Sequence, residues 1–430
     1  MFYTIPLKNT ARLDNPNNMK YLLFVLFSLV VISCKTTQAA TISTLAKSTV
    51  VDPKNPNPHK AVVVNNTKAL KFGAGADNFD GFAPFLKDKK VGVVTNQSGL
   101  LLNDTQLVDF LVFKKVNVVK IFAPEHGFRG TADAGELVID GKDVTTGLPI
   151  ISLYGDNKKP KPEQLEGVDI MVFDLQDVGA RFFTYISTLH YLMEACAENN
   201  IPLIILDRPN PNGGIVDGPI LEPENSSFVG MHPIPVLHGM TIGEYAQMIN
   251  GEKWLKNGVQ CDITIIACSL YKREMPYSLN VKPSPNLPND MAINLYASLC
   301  FFEGTNVSLG RGTDKQFQIY GSPDLPYINY CFTPHPNFGS KDPPQNGKEC
   351  FGEDLSGIAK VDRLELKWLI GAYNSTADKS RFFNSYFTKL AGTRKLQQQI
   401  ESGMTASDIR ASWETGLIEF NDIREKYLIY

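Results

Sequence analysis

The stretch Val91-Gly92-Val93-Val94-Thr95-Asn96-Gln97-Ser98-Gly99 decides the fold: a β-prone run ends abruptly in a polar turn closed by glycine. A strand solvated on one face alternates apolar with polar residues. An unbroken apolar run instead suits a strand covered on both faces, as in the middle of a parallel sheet. Val118 to Ala123, Pro149 to Tyr154, Asp169 to Asp174, Pro202 to Asp207 and Asp262 to Ala267 repeat the pattern. Between them lie segments with helical spacing: Gln106 to Lys115, then Phe182, Ile186, Leu189, Met193 and Cys196, and later Ile242, Tyr245, Ala246 and Ile249. This alternation predicts an α/β fold with a Rossmann-like, doubly wound, mainly parallel sheet.

In such a sheet, ligands bind outside the carboxyl ends of the strands, where the strand order reverses. The residues that follow each run are therefore the candidates. They are Asn96 to Gly99, Pro124-Glu125-His126-Gly127-Phe128-Arg129-Gly130, Gly155-Asp156, the long stretch from Asp174 to Tyr185, and Asp207-Arg208-Pro209-Asn210-Pro211. Glu125, Asp174, Asp177 and Asp207 are candidate acids and bases, and paired carboxylates are the usual equipment of glycoside hydrolysis. Asn96, Gln176, Asn210, Arg129, Arg181 and Arg208 are suited to holding a polar or anionic ligand. Tyr185, with Phe182 and Phe183, offers ring faces to a sugar. Plainer roles stand beside these: Asp207 and Arg208 as a local ion pair, one of the two phenylalanines as helix core, and His190 as a partnered structural histidine.

Other chemistries lack their signatures. No G-x-G-x-x-G follows the first run, Gly310-Arg311-Gly312-Thr313-Asp314-Lys315 is not a P-loop, and there is no G-x-S-x-G elbow. Glu125, His126, Asp174 and Asp177 are metal-ligating types, but no tight multi-ligand motif joins them, so neither a metal nor a cofactor is expected. A net charge of -3 over 430 residues argues against a nucleic-acid partner. No protein partner is predicted.

The motifs themselves are long and ordered. Val93 to Gly99, Ala123 to Gly130, Phe173 to Tyr185 and Leu206 to Pro211 are followed by Ser284-Pro285-Asn286-Leu287-Pro288, Phe302-Glu303-Gly304-Thr305-Asn306, Gly310-Arg311-Gly312-Thr313 and the terminal Arg424 to Tyr430. Over about residues 75–430 the chain resembles the NamZ-type exo-β-N-acetylmuramidases, formerly a domain of unknown function. The resemblance implies an exo-acting glycosidase that releases terminal, non-reducing N-acetylmuramic acid from peptidoglycan fragments. It also implies a Rossmann-like domain, a smaller C-terminal α/β domain and an active cleft between them. The family's catalytic glutamate, in its Pro-Glu-His-Gly motif, falls on Glu125, with His126 beside it as a substrate contact. The second catalytic group is open between Asp177 and Asp174, with Glu303 behind them. Arg129, Arg181 or Arg311 would meet the lactyl carboxylate, and Asn306 would contact the sugar from the glycine-rich loop. The rival reading is a surface protein that captures cell-wall saccharides without cleaving them.

The amino-terminal residues read as an address. Met19-Lys20, the apolar run Leu22 to Ile32 and Val31-Ile32-Ser33-Cys34 describe a secretory signal with a lipobox, Cys34 being the acylated residue and Met19 the working start. The apolar core is too short to span a bilayer, which takes about twenty residues. The expected organisation is a signal over 1–34, a proline- and asparagine-rich tether over 35–70, a Rossmann-like domain over 71–277 and a C-terminal α/β domain over 278–430. The location is then the cell envelope, lipid-anchored, periplasmic or outer-membrane. Cys331 and Cys350 bracket a Pro-, Gly- and Asn-rich loop, and both a disulfide and free thiols are open there.

Overall fold

Each central strand sends alternate residues to opposite faces of the sheet, and the two faces become two hydrophobic clusters. Ile170, Val172, Ile204 and Leu206 join one, while Met171, Phe173, Leu203 and Ile205 join the other. The computed structural model describes residues 61–130, 140–326 and 329–430. The signal region, Cys34 and most of the expected tether lie outside the described residues.

The strands in chain order are β1 (Val62–Val64), β2 (Val91–Thr95), β3 (Val118–Ala123), β4 (Gly141–Lys142), β5 (Pro149–Ser152), β6 (Ile170–Asp174), β7 (Leu203–Leu206), β8 (Val216–Asp217), β9 (Leu237–His238), β10 (Ile263–Ile266), β11 (Ile319–Ser322), β12 (Tyr330–Phe332) and β13 (Cys350–Asp354). Eight of them form one sheet in the order β1-β10-β7-β6-β2-β3-β5-β4. All of its pairings are parallel except β4 with β5. From β2 the chain steps outward through β3 to β5, then returns to the other side of β2 with β6 and steps the opposite way. The reversal lies around β2, so the carboxyl ends of β2, β3 and β6 border the crevice where ligands of such sheets bind.

Helices α1 (Phe79–Leu86) and α2 (Leu107–Phe113) cover one face through Phe82, Leu86, Leu107 and Leu111. After the short α3 (Pro162–Leu165), α4 (Tyr185–Glu198) and α5 (Ile242–Gly251) cover the other face. Thr241 caps α5 in a capping box with Glu244. The second cluster runs on without a break into α6 (Asp290–Leu299), α7 (Lys367–Ser375), α8 (Phe387–Ala391), α9 (Lys395–Glu401), α10 (Ala406–Ala411) and α11 (Glu414–Arg424), through Leu295, Trp368, Phe387, Leu396, Ile409 and Phe420. The C-terminal region adds a three-stranded antiparallel sheet in the order β11-β13-β12. Asn57–Tyr430 is one compact unit, and among the described residues both hydrophobic clusters lie within it.

One expectation changes and one open alternative is decided. Val62–Val64, inside the expected tether, is an edge strand paired with β10. Its three valines supply the β-branched run that the proline-rich residues before it lack. Cys331 and Cys350 are free. In the ladder Cys331 lies opposite Phe351 and Cys350 opposite Phe332. That one-residue offset sends the two thiols to opposite faces of the sheet, Cys331 exposed and Cys350 buried.

Candidate active site

Glu125 stands on the turn that ends β3. The Gly127 N–H donates to the Pro124 carbonyl at 3.0 Å, and His126, buried, takes φ +74° inside this turn. The turn lifts the half-buried Glu125 carboxylate above the strand end, and hydroxyls from two other elements fix it. The Tyr154 hydroxyl, just past β5, donates to Oε1 at 3.0 Å, and Thr184, at the start of α4, donates to Oε2 at 3.2 Å. Neither hydroxyl was singled out as a site group in the sequence. Thr184 lies inside the long motif Asp174 to Tyr185, and Tyr154 closes an apolar run.

Tyr185 lies next to this arrangement. Asn96 Nδ2 donates to its oxygen at 2.5 Å, while Ser98 holds the other end of the same amide through its N–H (2.9 Å) and hydroxyl (2.6 Å). Burial pushes the Tyr185 hydroxyl above its ordinary range, and the charges of Glu125 and Asp177 add to that. One hydroxyl thus senses both carboxylates. Asp177 Oδ2 accepts from the Gly179 N–H at 2.7 Å, while Oδ1 is buried without a hydrogen-bond partner. Gly179 has φ +78°, and a Cβ there would meet Asn210 Oδ1 at 2.3 Å, so only glycine fits this turn. His238, on the two-residue β9, faces Asp177. Its Nδ1 accepts from the Met240 N–H at 3.3 Å, which assigns the proton to Nε2, 3.6 Å from Asp177 Oδ2 and otherwise unpartnered. No sequence pattern marks His238.

The C-terminal region brings Glu303 and Arg311. Arg311 donates to Glu303 Oε1 from Nε (3.0 Å) and Nη2 (2.6 Å), and its guanidinium lies over the Phe317 ring at 5.1 Å. Burial raises the Tyr386 hydroxyl, and its neighbours Cys300, Glu303 and Glu125 raise it further. Asn306 donates from its side chain to Asp324 at 3.0 Å and accepts through its backbone carbonyl from Gln345 at 2.7 Å, both in later loops of the C-terminal region, while its side-chain oxygen has no partner among the described residues.

Several expected ligand contacts are braces instead. Arg181 is wholly buried, and its terminal nitrogens donate to the carbonyls of Pro219, Ile234, Leu390 and Ala391 at 2.7–3.0 Å. It fastens the sheet domain to α8, and burial lowers its pKa to about 9. Arg129 is occupied by Asp109 and Asp143 through four contacts of 2.9–3.0 Å. Asp174 is fully buried and takes Arg208 bidentately (2.6 and 2.9 Å), which removes it from the candidates for the second catalytic group. Asp207 is not paired with Arg208's guanidinium; it accepts from Thr241 (2.8 Å), the Gly243 N–H (2.8 Å) and the Tyr430 hydroxyl (2.7 Å). This explains the terminal motif: the last residue locks onto the sheet. Asn210 donates to the Met240 carbonyl at 2.9 Å, and Gln176 to the carbonyls of Asp177 (2.8 Å) and Pro209 (2.7 Å).

Among the described residues no group of three His, Cys, Asp or Glu side chains is arranged to hold a metal ion. A polar hollow of about 520 Å³, lined by Glu224, Asn225, Thr388, Lys389, Arg394 and Gln397 among others, contains none of the motif carboxylates.

Comparison with known proteins follows the same geometry. A family model described as "Exo-beta-N-acetylmuramidase NamZ, N-terminal" matches residues 91–291, and its C-terminal counterpart matches 294–430, meeting within α6. The chain is 40% identical over 374 residues to the peptidoglycan beta-N-acetylmuramidase NamZ of Bacillus subtilis (strain 168), covering 80% of this chain and 88% of that protein. A solved DUF1343 family protein from Bacteroides fragilis NCTC 9343 superimposes with a TM-score of 0.78 at 43% identity, covering 84% of this chain and 99% of the other. A second from the same organism gives 0.72 at 28% identity, covering 84% and 100%.

Proposed function

The chain belongs to the NamZ family of exo-β-N-acetylmuramidases, and from that premise we propose that it hydrolyses the bond behind a terminal, non-reducing N-acetylmuramic acid on peptidoglycan fragments, with Glu125 as the acid. One observation carries the assignment: Glu125 stands at the reversal of strand order with each carboxylate oxygen held by a separate hydroxyl. A carboxyl so oriented delivers its proton to the leaving glycosidic oxygen as the anomeric C–O bond breaks, and water completes the product at the anomeric carbon. Asp177 is the second carboxylate. Its buried Oδ1, without a hydrogen-bond partner among the described residues, supports this, because it keeps acceptor capacity for a water or a sugar hydroxyl.

Arg311 takes the lactyl carboxylate of muramic acid. Arg129 and Arg181 have their terminal nitrogens committed elsewhere, whereas both contacts of Arg311 fall on a single oxygen of Glu303. A planar guanidinium with donors to spare suits a carboxylate. The enzyme works outside the cytoplasm, in turnover and recycling of the cell wall, held to the envelope by acylated Cys34. The support for this location is the apolar run and lipobox of the sequence.

The test is Glu125→Gln assayed on a chromogenic N-acetylmuramic acid glycoside. Turnover falls by about 10²–10⁴ with an unchanged melting temperature. Undiminished turnover would remove Glu125 from the chemistry, and binding of the disaccharide without any cleavage by the unaltered protein would favour the capture reading.

A further inference from the structure

The carboxyl edge of the sheet holds the chemistry; the opposite, amino edge carries a different surface. Helix α1 leads into the amino end of β2 and α2 into that of β3, and β2 and β3 are neighbours. The C-terminal ends of both helices therefore lie together at that edge, and the helices themselves touch, Phe79 against Phe110 at 5.2 Å. What these ends expose is unusual for a solvated surface. Phe113 is 79% exposed and Phe85 38% exposed. Around them Lys87, Lys89, Lys90, Lys114 and Lys115 are all exposed, against one acid in the same two segments, Asp88. None of these lysines has an ion-pair partner among the described residues; Lys114 lies over the Phe79 and Phe110 rings at 5.6 and 5.4 Å. Asp169, before the neighbouring strand β6, accepts from the Lys90 backbone N–H at 2.8 Å, and Glu163 and Glu166 are exposed just ahead of it.

We propose that this lysine- and phenylalanine-bearing edge is a docking surface for an anionic phospholipid bilayer. Lysines are drawn to the negative surface potential of such a bilayer within a Debye length, and exposed aromatic rings enter its interfacial layer. The whole chain has a net charge of -3, so the attraction depends on this local excess and not on the overall balance. The path of the chain selects a membrane over other acidic partners. β1 runs parallel to β10 and β10 to β7, so the described chain enters the sheet at this same edge. The residues that precede it in sequence include the apolar run Leu22 to Ile32 and Cys34. With this edge on the lipid, Glu125 stands at the far end of the strands, roughly 17–20 Å of sheet away, and opens toward the polymer outside. The proposal goes beyond the catalytic reading and does not need it.

The experiment uses the unit Asn57–Tyr430, which holds both hydrophobic clusters of the described residues and excludes the apolar run. It is sedimented with vesicles of phosphatidylcholine alone and of phosphatidylcholine mixed with phosphatidylglycerol. Binding is expected to the mixed vesicles only, to be lost in high salt, and to be abolished in the quadruple variant Lys89→Glu, Lys90→Glu, Lys114→Glu, Lys115→Glu. Phe113→Ser weakens it by roughly tenfold. Equal sedimentation with both vesicles, none with either, or full binding by the charge-reversed variant would overturn the proposal. Every variant keeps wild-type turnover of the soluble glycoside. Binding without turnover in the unaltered unit would sink the catalytic reading alone, and turnover without binding would sink this one alone.

Discussion

Two arginine–carboxylate pairs come from the motif stretches, and their surroundings differ. Asp174–Arg208 has side chains 0% and 5% exposed, while Glu303–Arg311 is partly exposed at 23% and 18%. The buried pair spends both carboxylate oxygens and adds a bond from Arg208 to the Leu100 carbonyl at 3.0 Å. In the other pair Arg311 uses one oxygen of Glu303, the second accepting from the Cys300 thiol at 3.9 Å, and Arg311 keeps donors for a ligand. Sequence motifs mark both equally. What separates floor from wall is whether the polar atoms are already spent.

The largest expected effect breaks the floor. Arg208→Ala leaves Asp174 as an unpaired buried charge and destabilises by about 3–5 kcal/mol. Urea unfolding should show the loss, while KM of the folded fraction stays near wild type. A normally stable variant with no turnover would reverse the assignment and make Asp174–Arg208 part of the chemistry. Next comes the wall. Arg311→Ala removes charged hydrogen bonds of about 1.5–3 kcal/mol from the bound lactyl group, raising KM by roughly ten- to a hundredfold. Its stability cost stays below about 1 kcal/mol, as for a partly exposed pair. The effect should disappear on an N-acetylglucosamine glycoside, which lacks the carboxylate. An equal loss on both sugars would make Arg311 a positioning residue for Glu303.

That contrast also explains what was legible in the sequence. The six apolar runs each became a strand of the main sheet, because burial on both faces leaves an unbroken apolar signature. The motif Pro124 to Gly127 pointed to Glu125, since a turn at a strand end near the order reversal is a position that topology makes functional. The arginines misled. Residue type alone marks Arg129 and Arg181, whereas their partners Asp109, Asp143, Leu390 and Ala391 lie far from them in sequence or outside any motif. His238 and Tyr386 were invisible for the same reason: each acts through spatial neighbours and belongs to no periodic pattern. The expected C-terminal α/β domain has its strands in the antiparallel sheet of β11, β12 and β13, whose positions the sequence does not mark because they are short and separated by proline-rich loop.

A smaller effect sharpens the wall. Tyr154→Phe removes one donor from Glu125 without removing the ring, at about 0.5–1.5 kcal/mol. kcat should fall several-fold with little change in melting temperature. An unchanged kcat would show that Thr184 alone orients the carboxylate.

The smallest effect returns to the floor and is read in pH. Burial pushes Asp207 up to about 6, against the hydrogen bonds from Tyr430, Gly243 and Thr241 that favour its charged form. Between its unfolded value, near 4, and about 6, the native state holds a proton that the unfolded chain has released. The contribution is therefore fully present below about 4 and lost as pH rises through 6. His190 and His232 act in the opposite sense. Burial lowers both, so their contribution is present above about 6.5 and lost as pH falls. The wild-type profile mixes the two, and Asp207→Asn isolates the first. Over one pH unit in this window, the difference between wild type and variant should change by at most about 1.4 kcal/mol, with wild type gaining on the acid side. Parallel profiles for the two proteins would mean that Asp207 keeps its charge in the floor, held there by its donors Thr241, the Gly243 N–H and the Tyr430 hydroxyl.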